Sequence, residues 1–430
     1  MTDHRPPAQP TPPRPRRSNA HTQPQQDSSA RPQPDESGAS PREAHESRGA
    51  RRPFTEHLTE TITEFSGSVL QARDKRKQAS MPPPTAPTDV VPPVESPENS
   101  DVQKVSLVTN PVKLGFLGFG TVGRGAYDIL KMNADKIASE SNLAFETTKI
   151  LVRNINNPKL ADIDSSVLTT DFNEVCTSPD VDIVIEALGG IEPAASYIKC
   201  ALQNGKHVVS ANKAALAANL DELLNLAKEN RCRLLFEASV GGGIPVLTAI
   251  RNPLAANEFT KVEGILNGTT NYILTKMSQE GLSYETALKS AQELGFAEAD
   301  PTADVEGIDA ANKLSILIKL MFGKYVKPTD IPTTGISKVS IDDIKAAEAN
   351  NQTIKLVACA EIKNGKLEYC VKPTALPNSH PLTGISNEFN AIFLNGNAVG
   401  EVMLSGKGAG ALPTGSAVCG DILAIAKHIR

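Results

Sequence analysis

The rhythm of apolar and polar positions along the 430-residue chain changes twice. From about residue 106, short apolar runs alternate with stripes at helical spacing. The runs at 112–117, 149–152, 181–187, 207–209 and 234–236 predict strands, and 181–187 is apolar apart from Asp182 and Glu186. Helical spacing between them covers 122–131, 194–203 and 220–228. Strands separated by helices predict a parallel sheet with helices on both faces. After Pro245 long helical patterns dominate, at 269–277, 284–294, 307–322 and 341–350. Strand-like stretches follow at 354–361, 367–372 and 390–394, which makes a second, α+β domain. A last strand at 402–404, a Gly-rich loop and a helix at 416–426 are expected to return to the first domain. The pattern divides the chain into a tail (1–105), a doubly wound α/β domain (106–250, completed by 400–430) and an α+β domain (251–399).

The tail has another character. It holds 18 of the 31 prolines within the first 100 residues, with 13 Lys and Arg against 13 Asp and Glu. Such a stretch cannot bury enough apolar surface to offset chain entropy, so disorder is expected over 1–105. Residues 4–26 carry Arg and no acid, as a transit peptide does, but their proline density works against the amphipathic helix such peptides form. One island differs: Phe54, Leu58, Ile62, Phe65 and Val69 make a helical stripe. It reads as a transient helix or as a docking helix whose partner is unknown.

Composition narrows the class. The net charge of −5 argues against a nucleic-acid binder that relies on overall basicity. No apolar run reaches the roughly 18 residues a membrane helix needs, and the polar N-terminus is no signal peptide. Six cysteines without a CxxC pair read as reduced thiols of a cytoplasmic protein. With no Trp and 4% aromatics, the core must be aliphatic.

Four constellations carry chemistry. Gly118-Phe119-Gly120-Thr121-Val122-Gly123 lies between a predicted strand and a predicted helix. Its glycines suit a tight turn, the approach of a pyrophosphate and close helix packing, with the helix N-terminus facing the phosphates. After the second strand stands Arg153, where dinucleotide folds that prefer NAD place an acid. It is either a partner for the 2′-phosphate of NADP or a solvated surface residue. Glu298 to Lys313 packs five acids and one lysine into sixteen residues. Asp309 and Lys313 are one helical turn apart, and the helix continues in apolar residues. The pair is either a surface ion pair or a buried proton donor with its partner. Phe236-Glu237-Ala238-Ser239-Val240-Gly241-Gly242-Gly243-Ile244 ends a strand in a Glu and three glycines, an oxygen cage for a hard cation or a domain hinge. Tyr272 and Lys276 match a YxxxK pair, but Phe259 stands where that pattern needs a Ser, so Tyr272 reads as core or interface.

These pieces occur in this order in homoserine dehydrogenases, which residues 112–428 resemble. The matching text is GFGTVG at 118–123, EALGG at 186–190, HVVSANKAALA at 207–217 and FEASVGGGIPV at 236–246. It continues with GILNGTTNYIL at 264–274, LGFAEADPTADVEGIDAANKL at 294–314 and GKGAGALPTGSAV at 406–418. The resemblance implies reversible hydride transfer between NAD(P)H and L-aspartate 4-semialdehyde, giving L-homoserine, in threonine, methionine and isoleucine biosynthesis. It implies Lys313 as general acid, Asp309 as its partner and a substrate contact, and Glu298 and Asp304 as binders of the substrate ammonium. It puts Lys213 near nicotinamide and substrate, with Ser210, Gly295 and Gly410 as cofactor contacts beside Gly118–Gly123 and Arg153. Glu237 and the carbonyls of Val240, Gly242 and Ile244 match a structural sodium site.

The chain departs from the family at three points. Asn154 stands where many members have Asp, which favours NADP while leaving NAD use open. Lys407 replaces a Pro, and Gly415 replaces an Ala. The chain ends at Arg430 without the ACT domain of many relatives, so little inhibition by threonine is expected through that route. A homodimer through the second domain is expected, with a small-molecule substrate and no nucleic-acid or membrane partner. A reading of another class is a dehydrogenase-derived scaffold that recruits partners through its tail.

Overall fold

The computed structural model describes residues 110–430. The expectations for the tail, its helical stripe included, lie outside the described residues.

The first sheet has six parallel strands: β1 (Val112–Leu117), β2 (Phe145–Leu151), β3 (Leu168–Thr169), β4 (Ile183–Glu186), β5 (His207–Ser210) and β6 (Leu234–Leu235). Their spatial order is β3-β2-β1-β4-β5-β6. This is the doubly wound Rossmann order, with its switch point between β1 and β4. Core strands are apolar on both faces because helices cover both. Leu117, Val184 and Val208 face the helices Ala194–Gln203 and Lys213–Glu229. Val112, Leu114, Phe116, Ile183, Ile185 and Val209 face Thr121–Met132 and the closing helix Ala411–Ile429.

The second sheet is antiparallel, in the order β11-β10-β7-β8-β9. Its strands are β7 (Phe259–Ile265), β8 (Gln352–Lys363), β9 (Lys366–Pro377), β10 (Phe389–Gly396) and β11 (Gly400–Lys407). The helices Gly268–Glu280, Ile308–Phe322 and Ile341–Ala349 pack on this sheet through β8. A smaller apolar group of Ile265, Val357, Leu376, Leu382, Ala391 and Phe393 forms a separate cluster.

The expected return of 400–430 to the first domain needs correcting. Residues Gly400–Lys407 pair with β10 along their whole length, so they belong to the second sheet. Only the helix Ala411–Ile429 crosses back, packing against Thr121–Met132. Its apolar run, 402–404, is only three residues long and does not say which sheet the strand joins. The crossing is very close: a Cβ on Gly125 would lie 2.2 Å from the Ala411 carbonyl oxygen, and one on Gly415 would lie 2.7 Å from the Gly125 carbonyl carbon.

Candidate active site

Of the expected cofactor residues, Gly118–Gly123, Arg153, Ser210 and Lys213 stand at or just past the C-terminal ends of β1, β2 and β5. Gly118 follows β1 with φ +92°, and a Cβ there would meet Leu188 at 2.8 Å. A Cβ on Gly123 would come within 2.4 Å of the Gly118 carbonyl oxygen. A Cβ on Gly120 would meet nothing within 4 Å. The turn is therefore closed on the protein side and open at the centre, where a pyrophosphate would approach. Gly120 begins the helix Thr121–Met132 with no side-chain cap and no acid in the first turn, so its amides stay available to an anion. These residues fit a dinucleotide. Phe119 is half-buried and packs edge-on against Phe116 and Tyr127, so its side chain serves the core. Thr121 is exposed and Val122 half-buried at the helix start. Arg153 is exposed just past β2 and forms no ion pair among the described residues.

Ser210 ends β5 fully buried, and its hydroxyl donates to Glu186 at 2.5 Å, so its side chain braces the two loops. Glu186, at the end of β4, also accepts from the Leu188 amide (2.8 Å) and from Asn212 Nδ2 (3.3 Å). Burial pushes its carboxyl up, and these hydrogen bonds pull the other way. Asn212 in turn caps the helix Lys213–Glu229 by accepting from the Ala215 amide at 3.1 Å. The chain Glu186–Asn212 thus fixes where Lys213 starts.

Lys313 and Asp309 are the centre of the second group. Gly307, at φ +80°, opens the helix Ile308–Phe322, and Asp309 and Lys313 lie one turn apart on its buried face. Lys313 Nζ donates to Asp309 Oδ2 at 2.7 Å and to the Leu266 carbonyl at 2.5 Å. Lys213 Nζ stands 2.9 Å from Asp309 Oδ1, on the other side of the same carboxylate. Asn267 Nδ2 bridges Asp309 Oδ2 (2.9 Å) and Asp304 Oδ1 (2.8 Å), while Thr269 donates to Asp304 Oδ2 at 3.1 Å. The surface-pair reading of Asp309 and Lys313 is excluded, since both are more than nine-tenths buried.

The electrostatics follow from this packing. Burial opposes charge on Asp309, but the two ammonium groups outweigh it and hold the carboxyl below its ordinary range. Burial pushes Lys313 below an ordinary lysine, against the pull of Asp309. Asp309 raises Lys213. Asp304 is raised by burial and by the negative charge of Asp309. A buried, easily deprotonated ammonium beside a permanent carboxylate is what a general acid requires.

Glu298 is exposed and makes no ion pair among the described residues, but its charge adds to the field that raises Lys213. Gly295 (φ +75°) is also exposed, with open space before it. Gly410, at φ +119°, begins the closing helix. Tyr272 is core, as expected, and its hydroxyl pairs with Ser290 at 3.0 Å.

Glu237 is buried after β6 and accepts from the amides of Leu247 (2.8 Å) and Thr248 (2.5 Å). It caps the short helix Val246–Arg251. The carbonyls of Val240 and Gly242 accept no hydrogen bond among the described residues, whereas that of Ile244 accepts from Val246 at 2.8 Å. A buried carboxylate with spare lone pairs, followed three and five residues on by unpartnered carbonyls, is the kind of donor set a hard cation takes. Among the described residues no three His, Cys, Asp or Glu gather as a metal site, and no helix is long and apolar enough to cross a membrane.

A glycine turn that fits a dinucleotide, on a Rossmann sheet, with a buried lysine–carboxylate pair, defines a nicotinamide-nucleotide-dependent oxidoreductase. The models of the homoserine dehydrogenase NAD-binding domain and of homoserine dehydrogenase match residues 118–237 and 245–423. The Bacillus subtilis homoserine dehydrogenase is 46% identical over 319 residues, 74% of each chain. That of Corynebacterium glutamicum is 43% identical over 322 residues, 74% of this chain and 72% of its own. The crystal structure of a homoserine dehydrogenase from Thiobacillus denitrificans superposes with a TM-score of 0.71 at 39% identity, covering 74% of each chain. A hyperthermophilic archaeal homoserine dehydrogenase in complex with NADPH superposes with a TM-score of 0.63 at 31% identity, over 74% of this chain and 98% of that one. The chain belongs to the homoserine dehydrogenase family. Membership favours the enzyme over the scaffold reading.

The residues that sequence reasoning missed are Asn267, the Leu266 carbonyl, Thr269, Glu186 and Asn212. Glu186 gave a signal, as an acid closing an apolar strand. Asn267, in an Asn-Gly-Thr-Thr turn, gave only that of a helix cap.

Proposed function

We propose that the chain reduces L-aspartate 4-semialdehyde reversibly to L-homoserine, preferring NADPH, as a step toward threonine, methionine and isoleucine. The observation that carries this is the buried Lys313–Asp309 pair, with Lys213 on the second carboxylate oxygen. When bound, NAD(P)H supplies the hydride. Lys313 donates a proton to the aldehyde oxygen as negative charge develops there, and takes it back in the reverse direction. Asp309 holds Lys313 charged and aimed. Lys213 orients the substrate beside it. Glu298 and Asp304 face the substrate ammonium, two carboxylates for one cation. Gly295 and Gly410 bring backbone close to the nicotinamide, and Arg153 meets the 2′-phosphate, which makes NADP the preferred cofactor and NAD the lesser one.

Glu237, with the carbonyls of Val240, Gly242 and Ile244, would hold a structural sodium ion that steadies the hinge after β6. The enzyme is a homodimer through the second sheet, where edge strand β11 exposes Met403 and the adjoining turn exposes Val399. Six unpaired cysteines support a reducing, cytoplasmic setting.

The test is NADPH oxidation at 340 nm with purified protein and L-aspartate 4-semialdehyde, in parallel with NADH. Turnover on the order of 1–10³ per second, faster at low cofactor with NADPH, is the expected outcome. Folded protein that binds NADPH and turns over with neither cofactor would refute the assignment.

A further inference from the structure

Asn390 is fully buried at the start of β10, and neither its amide oxygen nor its amide nitrogen has a hydrogen-bond partner among the described residues. Buried amides are almost always paired, so an amide orphaned at both ends is a rarity that asks for a role. Its surroundings supply one. A Cβ on Gly408 would lie 2.2 to 2.6 Å from the atoms of that amide, so the backbone of the 406–410 loop rests directly on it. A Cβ on Gly268 would lie 3.5 Å from its oxygen, and Gly268 follows Asn267, which holds both Asp304 and Asp309. A Cβ on Gly242 would in turn strike the Gly408 carbonyl oxygen at 2.4 Å. Asn390 therefore stands between the turn that holds the acid–lysine pair and the loop that leads to Gly410 and the closing helix. Glycine at 268 and 408 keeps both backbones close enough for an amide to reach.

We propose that Asn390 is a positioning residue for hydride transfer. Its amide pairs with the backbone of the Gly408–Gly410 loop when the dinucleotide is bound, and so sets the nicotinamide side of the cleft against the Asn267 turn. This rests on the dinucleotide reading of the Gly118–Gly123 turn and on Gly410 lying near the nicotinamide.

The test compares the wild type with Asn390→Leu and Asn390→Ala, measuring thermal midpoint without ligand, NADPH affinity by fluorescence, and both kcat and KM. A residue that only packs would gain from Leu, because an apolar group of similar shape removes two unpaired polar atoms. The expected result is a midpoint in Asn390→Leu that is not lowered, with NADPH bound about tenfold more weakly and kcat down by a similar factor. Asn390→Ala, which leaves space and does not overfill it, carries the same prediction for affinity and kcat if the Leu variant does not fold. Affinity and kcat per folded site unchanged in either variant would overturn the proposal, as would losses that only track unfolded protein. A wild type that fails to bind NADPH would instead overturn the dinucleotide reading itself, so the two failures are distinguishable.

Discussion

Lys213 and Lys313 reach the same carboxylate from different domains. Lys213 comes from the helix after β5 and stands 2.9 Å from Asp309 Oδ1, while Lys313 comes from the helix Ile308–Phe322 and donates to Oδ2 at 2.7 Å. The site is complete only when the Rossmann sheet and the second domain are docked. That accounts for the mixed exposure of the trio: Asp309 and Lys313 are buried, and the Lys213 side chain remains 45% exposed toward the cleft.

Lys313→Ala is expected to lower turnover by roughly 10²–10⁴-fold, the range of a general acid, and to leave NADPH affinity nearly unchanged. The pH profile is a second check. Burial lowers Lys313, so its ammonium is lost below the ordinary lysine value of about 10.4. The reductive rate should fall as pH rises through that lowered value, and the oxidative rate should rise over the same window. A reductive rate that stays flat beyond the ordinary lysine range would remove Lys313 from the role.

Asp309 makes a stability prediction of definite sign. Its folded carboxyl lies below the unfolded value, so its contribution is present above about pH 4 and is lost as pH falls through the folded value. Asp309→Ala leaves two ammonium groups facing each other with one of them buried. Breaking a buried pair costs about 3–5 kcal/mol, and denaturant unfolding at neutral pH should show a loss of that order. At acid pH the gap between variant and wild type should narrow.

Much of this architecture was legible before the structure, and the gaps have physical causes. The strand β1 and the helix Ala194–Gln203 fall where apolar spacing puts them, because both are buried on faces that admit little else. β7 went unread because its apolar residues Phe259, Val262 and Ile265 stand three apart, which breaks the period of two that marks a strand. The helix starting at Lys213 was expected only from residue 220, since Asn219 kinks it at φ −130°. The Asp309–Lys313 pair was visible as spacing, i and i+4, but its burial was not. That burial depends on Leu266 and Asn267, which approach from 42 to 47 residues away in sequence.

Cofactor choice should depend on Arg153. It is exposed and forms no ion pair among the described residues, so no neighbouring acid competes with a phosphate for it. A hydrogen bond to a charged group contributes about 1.5–3 kcal/mol, less where solvent screens it. Arg153→Ala is therefore expected to raise KM for NADPH by about three- to tenfold and to leave KM for NADH unchanged. Equal losses with both cofactors would point to the loop's shape and away from the 2′-phosphate.

Gly415 sets two effects against each other, and magnitudes decide between them. Replacing a helical glycine with alanine favours the helix by about 1 kcal/mol. The new Cβ of Gly415→Ala, however, would stand 2.7 Å from the Gly125 carbonyl carbon, 2.8 Å from the Ala126 nitrogen and 3.0 Å from the Gly125 oxygen. All three are backbone atoms of the helix Thr121–Met132, so no side chain can swing aside. Overpacking of this kind costs about 1–3 kcal/mol, and at a crossing of two backbones it belongs in the upper half of that range. The net effect should be a loss of about 1–2 kcal/mol, seen as a fall of a few degrees in the thermal midpoint. NADPH affinity should weaken with it, because the helix that is pushed away is the one whose N-terminus would meet the pyrophosphate. A gain in midpoint would mean that the two helices slide apart freely, and that Gly125 and Gly415 are not what sets their spacing.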